Sequence, residues 1–191
     1  MNYELCIINY QTYCAMKGKI ITFVSQKSHL QSEHHIKMKK EYTLDELLHK
    51  AASYCSISEH CISEVSDKLT GWGIATTERE KIISRLIQDD FINEKRFCVA
   101  FTKDKFHFNK WGKIKISYAL KQKGLPNDLI NNALRTIDDG EYEEMLAVIL
   151  KNKLKTIQWE YEYEKQGKLF AFAQSRGFES AVIDRVIRTI K

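Results

Sequence analysis

Apolar side chains recur every three or four residues through most of the chain after Thr43, which is the spacing of an α-helix. The pattern is clearest in one predicted helix, whose apolar face is formed by Ile62, Val65, Leu69 and Trp72. Gly73 follows this helix and is typical of a helix end. Two capping-box patterns, at residues 43–46 and 56–59, indicate helix starts, because Thr or Ser with Glu three residues later satisfies free backbone amides. The pattern predicts an all-α chain from Thr43 onwards.

An internal repeat divides this helical region. Gly73, Gly124 and Gly177 are separated by 51 residues (73 to 124) and 53 residues (124 to 177), and each follows an amphipathic stretch. Apolar residues then occupy the same five offsets after the second and third glycines, namely Leu129, Ile130, Ala133, Leu134 and Ile137, and Val182, Ile183, Val186, Ile187 and Ile190. The period predicts three tandem three-helix bundles, over residues 41–93, 94–140 and 141–191. Because a unit of about 50 residues is marginal alone, we expect the bundles to stack into an elongated, curved body.

The first forty residues do not share this pattern. Two short β-like runs, at residues 4–10 and 19–24, flank a turn signal, and a polar segment without periodicity follows them. Met38 stands directly before the first strong helix signal. Residues 1–40 are therefore either a small hairpin appendage or an extension upstream of the true start, and the sequence leaves both alternatives open.

The composition excludes several classes of protein. Hydrophobic residues make up 43% and charged residues 29% of the chain, which is typical of a globular domain. No apolar stretch approaches the about 20 residues of a membrane-spanning helix. Eight glycines and one proline in 191 residues favour helices over turn-rich β architectures. Membrane and secreted-scaffold proteins are thereby excluded.

Neither the cysteines nor any short motif indicates chemistry. The chain has an odd number of cysteines, namely Cys6, Cys14, Cys55, Cys61 and Cys98, which favours free thiols in a reducing compartment. The cluster around His60 lacks four tetrahedral ligands, so we predict no metal and interpret Cys61 as a core residue. Phosphate-binding loops and nucleophile elbows are absent, and Cys98 and His107 lack catalytic partners. We therefore predict neither a cofactor nor an enzymatic activity.

Positive charge is concentrated in one region, although the net charge is only +5. No carboxylate occurs between Lys105 and Asn127, and lysines accumulate there around Trp111, at Lys110, Lys113, Lys115, Lys121 and Lys123. Lysines beside an exposed aromatic ring suit a phosphate backbone with stacked bases. A solvated helix face with Trp111 in the core explains the same pattern, and both interpretations stay open.

Aromatic and acidic residues alternate in the third unit. Trp159, Tyr161 and Tyr163 are interleaved with Glu160, Glu162 and Glu164. We expect these aromatic rings to belong to the core. The acidic spacing is unsuited to nucleic acid because it would repel phosphate.

Three segments resemble the RecX family in order and spacing. Phe91-Ile-Asn-Glu-Lys-Arg-Phe97 is similar to the family's junction between two repeats. Trp111-Gly-Lys-Ile-Lys-Ile116, followed by Ala119-Leu-Lys-Gln-Lys-Gly124, resembles its next segment, and Arg176-Gly177-Phe178 resembles a motif of the last repeat. The resemblance covers residues 41–191. The positions that match the motifs are Arg96, Trp111, Gly112, Lys113, Lys121, Lys123, Gly124, Arg176 and Gly177.

The resemblance implies a bacterial, cytoplasmic regulator of the RecA recombinase, acting in recombination, DNA repair and the SOS response. Family members are built from tandem three-helix repeats, bind the RecA filament on single-stranded DNA, and generally inhibit its ATPase and strand exchange. We therefore expect a monomer that binds the filament and, through it, single-stranded DNA, with no membrane partner. The candidate residues for contact with RecA or DNA are Arg96, Lys110, Trp111, Lys113, Lys115, Lys121, Lys123 and Arg176. The alternative is a stand-alone helical DNA-binding protein.

Overall fold

The computed structural model describes residues 42–190, and every regular element in this part of the chain is an α-helix. The helices are α1 (Leu44–Cys55), α2 (Ile62–Gly71), α3 (Thr76–Gln88), α4 (Glu94–His107), α5 (Lys113–Gln122), α6 (Asn127–Leu134), α7 (Asp139–Leu154), α8 (Glu162–Ser175) and α9 (Ser180–Thr189). The predicted all-α class is confirmed for these residues. The two β-like runs of residues 1–40 lie outside the described part of the chain.

The nine helices of the described region form three consecutive groups of three. In each group the third helix packs against both of the others, so that α3, α6 and α9 are the central contacts. The first group has its own core, which consists of Leu47, Ala51, Cys55, Val65, Leu69, Ile74, Ile82, Leu86 and Ile92. The second and third groups share one continuous core, with Phe106, Tyr142 and Phe178 as its largest fully buried side chains. The predicted tandem of three-helix bundles is confirmed.

One of the two predicted capping boxes is present. At the start of α1, the Thr43 amide donates to the Glu46 carboxylate at 2.9 Å, and the Glu46 amide donates to the Thr43 hydroxyl at 3.3 Å. The second prediction, at residues 56–59, is wrong. Ser56 ends α1 instead, and its hydroxyl donates to the Ala52 carbonyl at 2.8 Å. Helix α2 begins after Cys61, which is buried as predicted.

The joint between the second and third groups is a direct backbone contact. The Gly112 amide donates to the Arg176 carbonyl at 2.8 Å, and the Ile114 amide donates to the Gly177 carbonyl at 3.0 Å. A Cβ atom on Gly112 would overlap the Gly177 carbonyl, and one on Gly177 would overlap Lys115. Gly177 also has a φ of 85°, a left-handed conformation that favours glycine. Both glycines are therefore needed for this approach.

A buried phenol completes this joint. The Lys113 amide, at the first turn of α5, donates to the Tyr142 hydroxyl at 2.8 Å, and that hydroxyl donates to the Glu179 carboxylate at 2.6 Å. The first amides of a helix have no partner within the helix. Since Gly112 provides no side-chain cap, the third group supplies the partners for the start of α5.

The joint between the first and second groups follows the same plan with side-chain bonds. Ser63, in the first turn of α2, donates its hydroxyl to the Lys123 carbonyl at 2.9 Å. The Lys123 ammonium lies 2.6 Å from the Glu64 carboxylate, which also lies 3.0 Å from His60 Nδ1. Cys61 packs into the core that the second and third groups share. Each joint thus sets the start of one group's second helix against the glycine turn of the next group.

We expect Gly177→Ala to lower the free energy of unfolding by about 2–4 kcal/mol, because it combines a left-handed alanine with overlap at Lys115. The measurement is urea denaturation monitored by circular dichroism. Gly124→Ala is the matched control: its φ is 80°, but a Cβ there would meet nothing within 4 Å. It should cost only about 1–2 kcal/mol. Equal losses for the two variants would contradict a close glycine joint.

We expect Glu64→Gln to lower the free energy of unfolding by about 1 kcal/mol near neutral pH. Burial raises the pKa of Glu64, but hydrogen bonds from Lys123 and His60 outweigh it and hold this pKa below its ordinary value of 4.5. The carboxylate's contribution should therefore be complete above pH 4.5 and disappear as the pH falls through the lowered pKa. Urea denaturation over a pH series measures the difference between the two proteins.

The control for this pair is Asp89→Asn, because Asp89 is paired with Arg85 at 2.7 Å on an exposed helix surface. Exposed pairs of this spacing contribute about 0.3–0.5 kcal/mol. A difference between wild type and Glu64→Gln that did not decrease on acidification would contradict an ionised Glu64 at the joint.

Candidate functional site

The predicted basic region lies on α5 and its two flanks. Lys113, Lys115 and Lys121 are in the helix, Lys110 precedes it, and Lys123 follows its last residue. The opposite side of α5 is fully buried through Ile116 and Leu120. The lysine side chains are therefore restricted to the remaining surface of the helix.

Three of these lysines are held by contacts within the protein. The Lys113 ammonium lies 2.8 Å from Asp139 and 4.7 Å from the centre of the Tyr142 ring. Lys115 donates to the Ser175 carbonyl at 3.3 Å. Lys123 is paired with Glu64 in the joint described above. These three side chains thus bridge neighbouring helix groups.

The two candidate arginines also bridge groups. The Arg96 guanidinium lies 2.8 Å from the Glu59 carboxylate and 2.6 Å from the Asp90 carboxylate. The pKa of the Asp90 carboxyl is lowered, mainly by a hydrogen bond from the Asn93 side-chain amide and to a smaller extent by Arg96. Arg176 donates to the Asn109 carbonyl at 3.1 Å. The partners of both guanidinium groups therefore lie in loops between helices.

Trp111 is half-buried and packs against the core that the second and third groups share. Two ammonium groups lie over its ring, from Lys105 at 5.6 Å and from Lys115 at 5.0 Å. Both are within the range of cation–π attraction. The Trp111 ring is therefore already in contact with core side chains and with two ammonium groups. Its role in stacking on bases stays a prediction.

Lys110 and Lys121 differ from the other candidates. Neither ammonium group has an ion-pair or hydrogen-bond partner within residues 42–190. Lys121 is exposed near the end of α5, and Lys110 precedes the helix with a φ of 56°. Their charges are available to a partner.

Two apolar residues beside these lysines were missed by the sequence analysis. Ile114 is 55% exposed and Tyr118, one turn later, is 63% exposed. With Lys121 they form one stripe, the α5 face, along a groove of about 380 Å³ that Leu134 of α6 also lines. A helical wheel could have found them, because at about 100° per residue they lie opposite Ile116.

Two side chains capable of acid–base or nucleophilic chemistry are held in their protonated forms. Burial raises the pKa of Cys98 to about 11, so its thiol is protonated and unreactive at neutral pH. Burial and the bond to Glu179 raise the pKa of Tyr142, which keeps its phenol protonated as the donor in the joint. Residues 42–190 contain no group of three or more His, Cys, Asp or Glu side chains that could hold a metal ion. Nor does any helix among them have the length and apolarity to cross a membrane.

Comparisons with known proteins identify relatives over most of the chain. A family model described as "RecX, second three-helix domain" matches residues 93–134. The regulatory protein RecX of Prosthecochloris aestuarii is 29% identical over 140 residues, which cover 73% of this chain and 90% of that protein. RecX of Clostridium botulinum is 30% identical over 127 residues, which cover 65% of this chain and 59% of that protein. The match to Lactobacillus johnsonii RecX spans only 40% of that longer protein.

Two solved structures share the fold. The crystal structure of RecX from Lactobacillus salivarius superposes with a TM-score of 0.70 at 23% identity, covering 77% of this chain and 96% of that one. A second regulatory protein RecX superposes with a TM-score of 0.67 at 16% identity, covering 94% of this chain and 85% of that one. Sequence relatives and fold agree with the motifs around Arg96, Gly112 and Gly177, and the chain is similar over most of its length to regulatory proteins of the RecX family.

Proposed function

We propose that this protein regulates the RecA recombinase by binding the RecA filament on single-stranded DNA, and that it limits the filament's ATPase and strand exchange. Similarity to regulatory RecX proteins supports the regulatory role. We choose the α5 face as the binding surface because exposed Ile114 and Tyr118 lie beside the unpaired Lys121 there.

The α5 face has the composition of a binding surface. Interfaces gain most of their affinity from a few apolar or aromatic anchors, and tyrosine is prominent among them. Backbone bonds from Gly112 and Ile114 to the third group fix the start of α5 before any partner arrives. A rigid helix loses little conformational freedom on binding, which favours affinity.

The two unpaired lysines supply attraction at longer range. Lys110 and Lys121 would be drawn to exposed phosphate or to an acidic surface of the filament. Inhibition would then be steric, because a protein seated on the filament obstructs its extension or the surface used in strand exchange. We place this activity in the cytoplasm and expect the regulator to act as a monomer.

The remaining candidates have a second role in this proposal. Arg96, Lys113, Lys115, Lys123 and Arg176 fix the positions of the helix groups through the contacts given above. Replacing them would disturb the joints as well as any contact with the filament. A test of binding therefore has to avoid them.

We expect this protein, added below stoichiometry, to slow the ATPase of RecA on single-stranded DNA. The combined change Tyr118→Ser and Lys121→Glu should raise the half-inhibitory concentration about tenfold or more, because it removes an apolar anchor and reverses a charge. The free energy of unfolding should be nearly unchanged, since both side chains are exposed. The ATPase rate and a urea titration measure the two effects.

Val148→Ser with Lys151→Glu is the matched control. These residues have the same spacing on α7, Val148 is 50% exposed and Lys151 is exposed. This variant should inhibit like wild type. An ATPase rate that never changed even at excess would contradict the proposal, and equal weakening by both variants would contradict the α5 face. Tight binding to DNA without RecA, falling steeply with salt, would favour a stand-alone DNA-binding protein instead.

A further inference from the structure

The aromatic residues at the start of α8 lie on the surface, so the expectation that they belong to the core is wrong. The exposed fractions are 42% for Trp159, 53% for Tyr161 and 71% for Tyr163. The two tyrosine rings stack on each other, with centroids 5.7 Å apart and planes 11° from parallel. An ordered pair of exposed rings is an apolar surface that remains open to a partner.

Helix α8 has an additional turn at this end. Helix α8 has 14 residues, whereas its equivalents α2 and α5 have 10 each. Cys61, Gly112 and Lys165 each lie twelve residues before the glycine turn of their group, so the three positions are equivalent. Cys61 and Gly112 contact the next group. In the third group this position is inside the helix, and the Lys165 side chain is only 15% exposed.

The extra turn therefore occupies the position at which the other two groups make their joints. Lys165 is paired with Glu162 at 2.8 Å, and its ammonium lies 5.8 Å from the centre of the Trp159 ring. The outer surfaces of such covered edges are usually polar in repeat proteins. Here the outer surface presents tyrosines, and exposed aromatic surface of this kind marks an interaction site.

The charges around the rings select the kind of partner. Glu160 and Glu162 alternate with the aromatic residues and are exposed. The nearby lysines are engaged within the protein, Lys165 with Glu162 and Lys168 with the Gln158 carbonyl at 2.7 Å, which leaves Glu160 as the carboxylate beside the rings that has no ion-pair partner among residues 42–190. The surface is therefore complementary to a cation and would repel phosphate.

We propose that residues 159–163, the acidic–aromatic patch, dock an arginine-containing cationic segment of a protein partner. A guanidinium group stacks on aromatic faces and binds carboxylates through parallel hydrogen bonds, and this patch offers both kinds of group side by side. The proposal is independent of the α5 face, which is basic and lies on another helix group.

The experiment uses the full chain, labelled with nitrogen-15, and a short peptide of alternating glycine and arginine. Addition of this peptide should shift the amide resonances of residues 159–164, and a glutamate peptide of equal length should not. Tyr161→Ser with Tyr163→Ser should weaken binding about tenfold, because both ring faces are lost. Glu160→Gln with Glu162→Gln should weaken it less and reduce its salt dependence.

Ile57→Ser is the control, since Ile57 is 84% exposed on the first helix group and away from the patch. It should bind the arginine peptide like wild type, as should Tyr118→Ser with Lys121→Glu. Failure of the arginine peptide to shift residues 159–164 would overturn the proposal. So would equal shifts with the glutamate peptide or an oligothymidylate, or shifts produced by raising the protein concentration alone, which would indicate a second copy.

Discussion

The contact between Gly112 and Gly177 is the constraint on which the second and third bundles depend. Two backbones approach so closely there that neither glycine can carry a Cβ atom. The amides at the start of α5 donate to carbonyls of the next bundle. One contact therefore supplies acceptors for amides that have no partner within the helix, and it also sets the position of the neighbouring bundle. The equivalent joint at Cys61 is less close, because a Cβ at Gly124 would meet nothing, and side-chain bonds from Ser63 replace backbone bonds there.

This construction decides what the charged residues can do. Lys113 and Lys123, which belong to the most basic stretch of the chain, cross a joint and meet a carboxylate of the neighbouring bundle. Such pairs contribute modest free energy when partly exposed, but they restrict the relative positions of the bundles. Some of the lysines that the sequence predicts to bind a partner therefore form ion pairs within the protein instead. Lys110 and Lys121 remain outside these pairs.

Two surfaces with opposite character result. The α5 face combines apolar anchors with unpaired lysine, whereas the acidic–aromatic patch combines tyrosines with glutamates. The first lies on α5, whose start is bonded to the next bundle, and the second lies at the start of α8, which is four residues longer than α2 or α5. A regulator with two such surfaces could contact an acidic partner and a cationic segment at the same time without competition between them.

The sequence by itself determined the helices, their tandem period and the glycine turns, because amphipathic spacing and a left-handed glycine are local properties. It also identified the capping box at Thr43 and the burial of Cys61. Only the tertiary structure decided which lysines are paired and that the rings beside the start of α8 are exposed. Ion pairs such as Lys123 with Glu64 join residues 59 positions apart, and no local pattern records them. Tyr163 lies in the additional turn of α8 and is exposed, and this exposure depends on the absence of packing from another group and not on spacing within one helix.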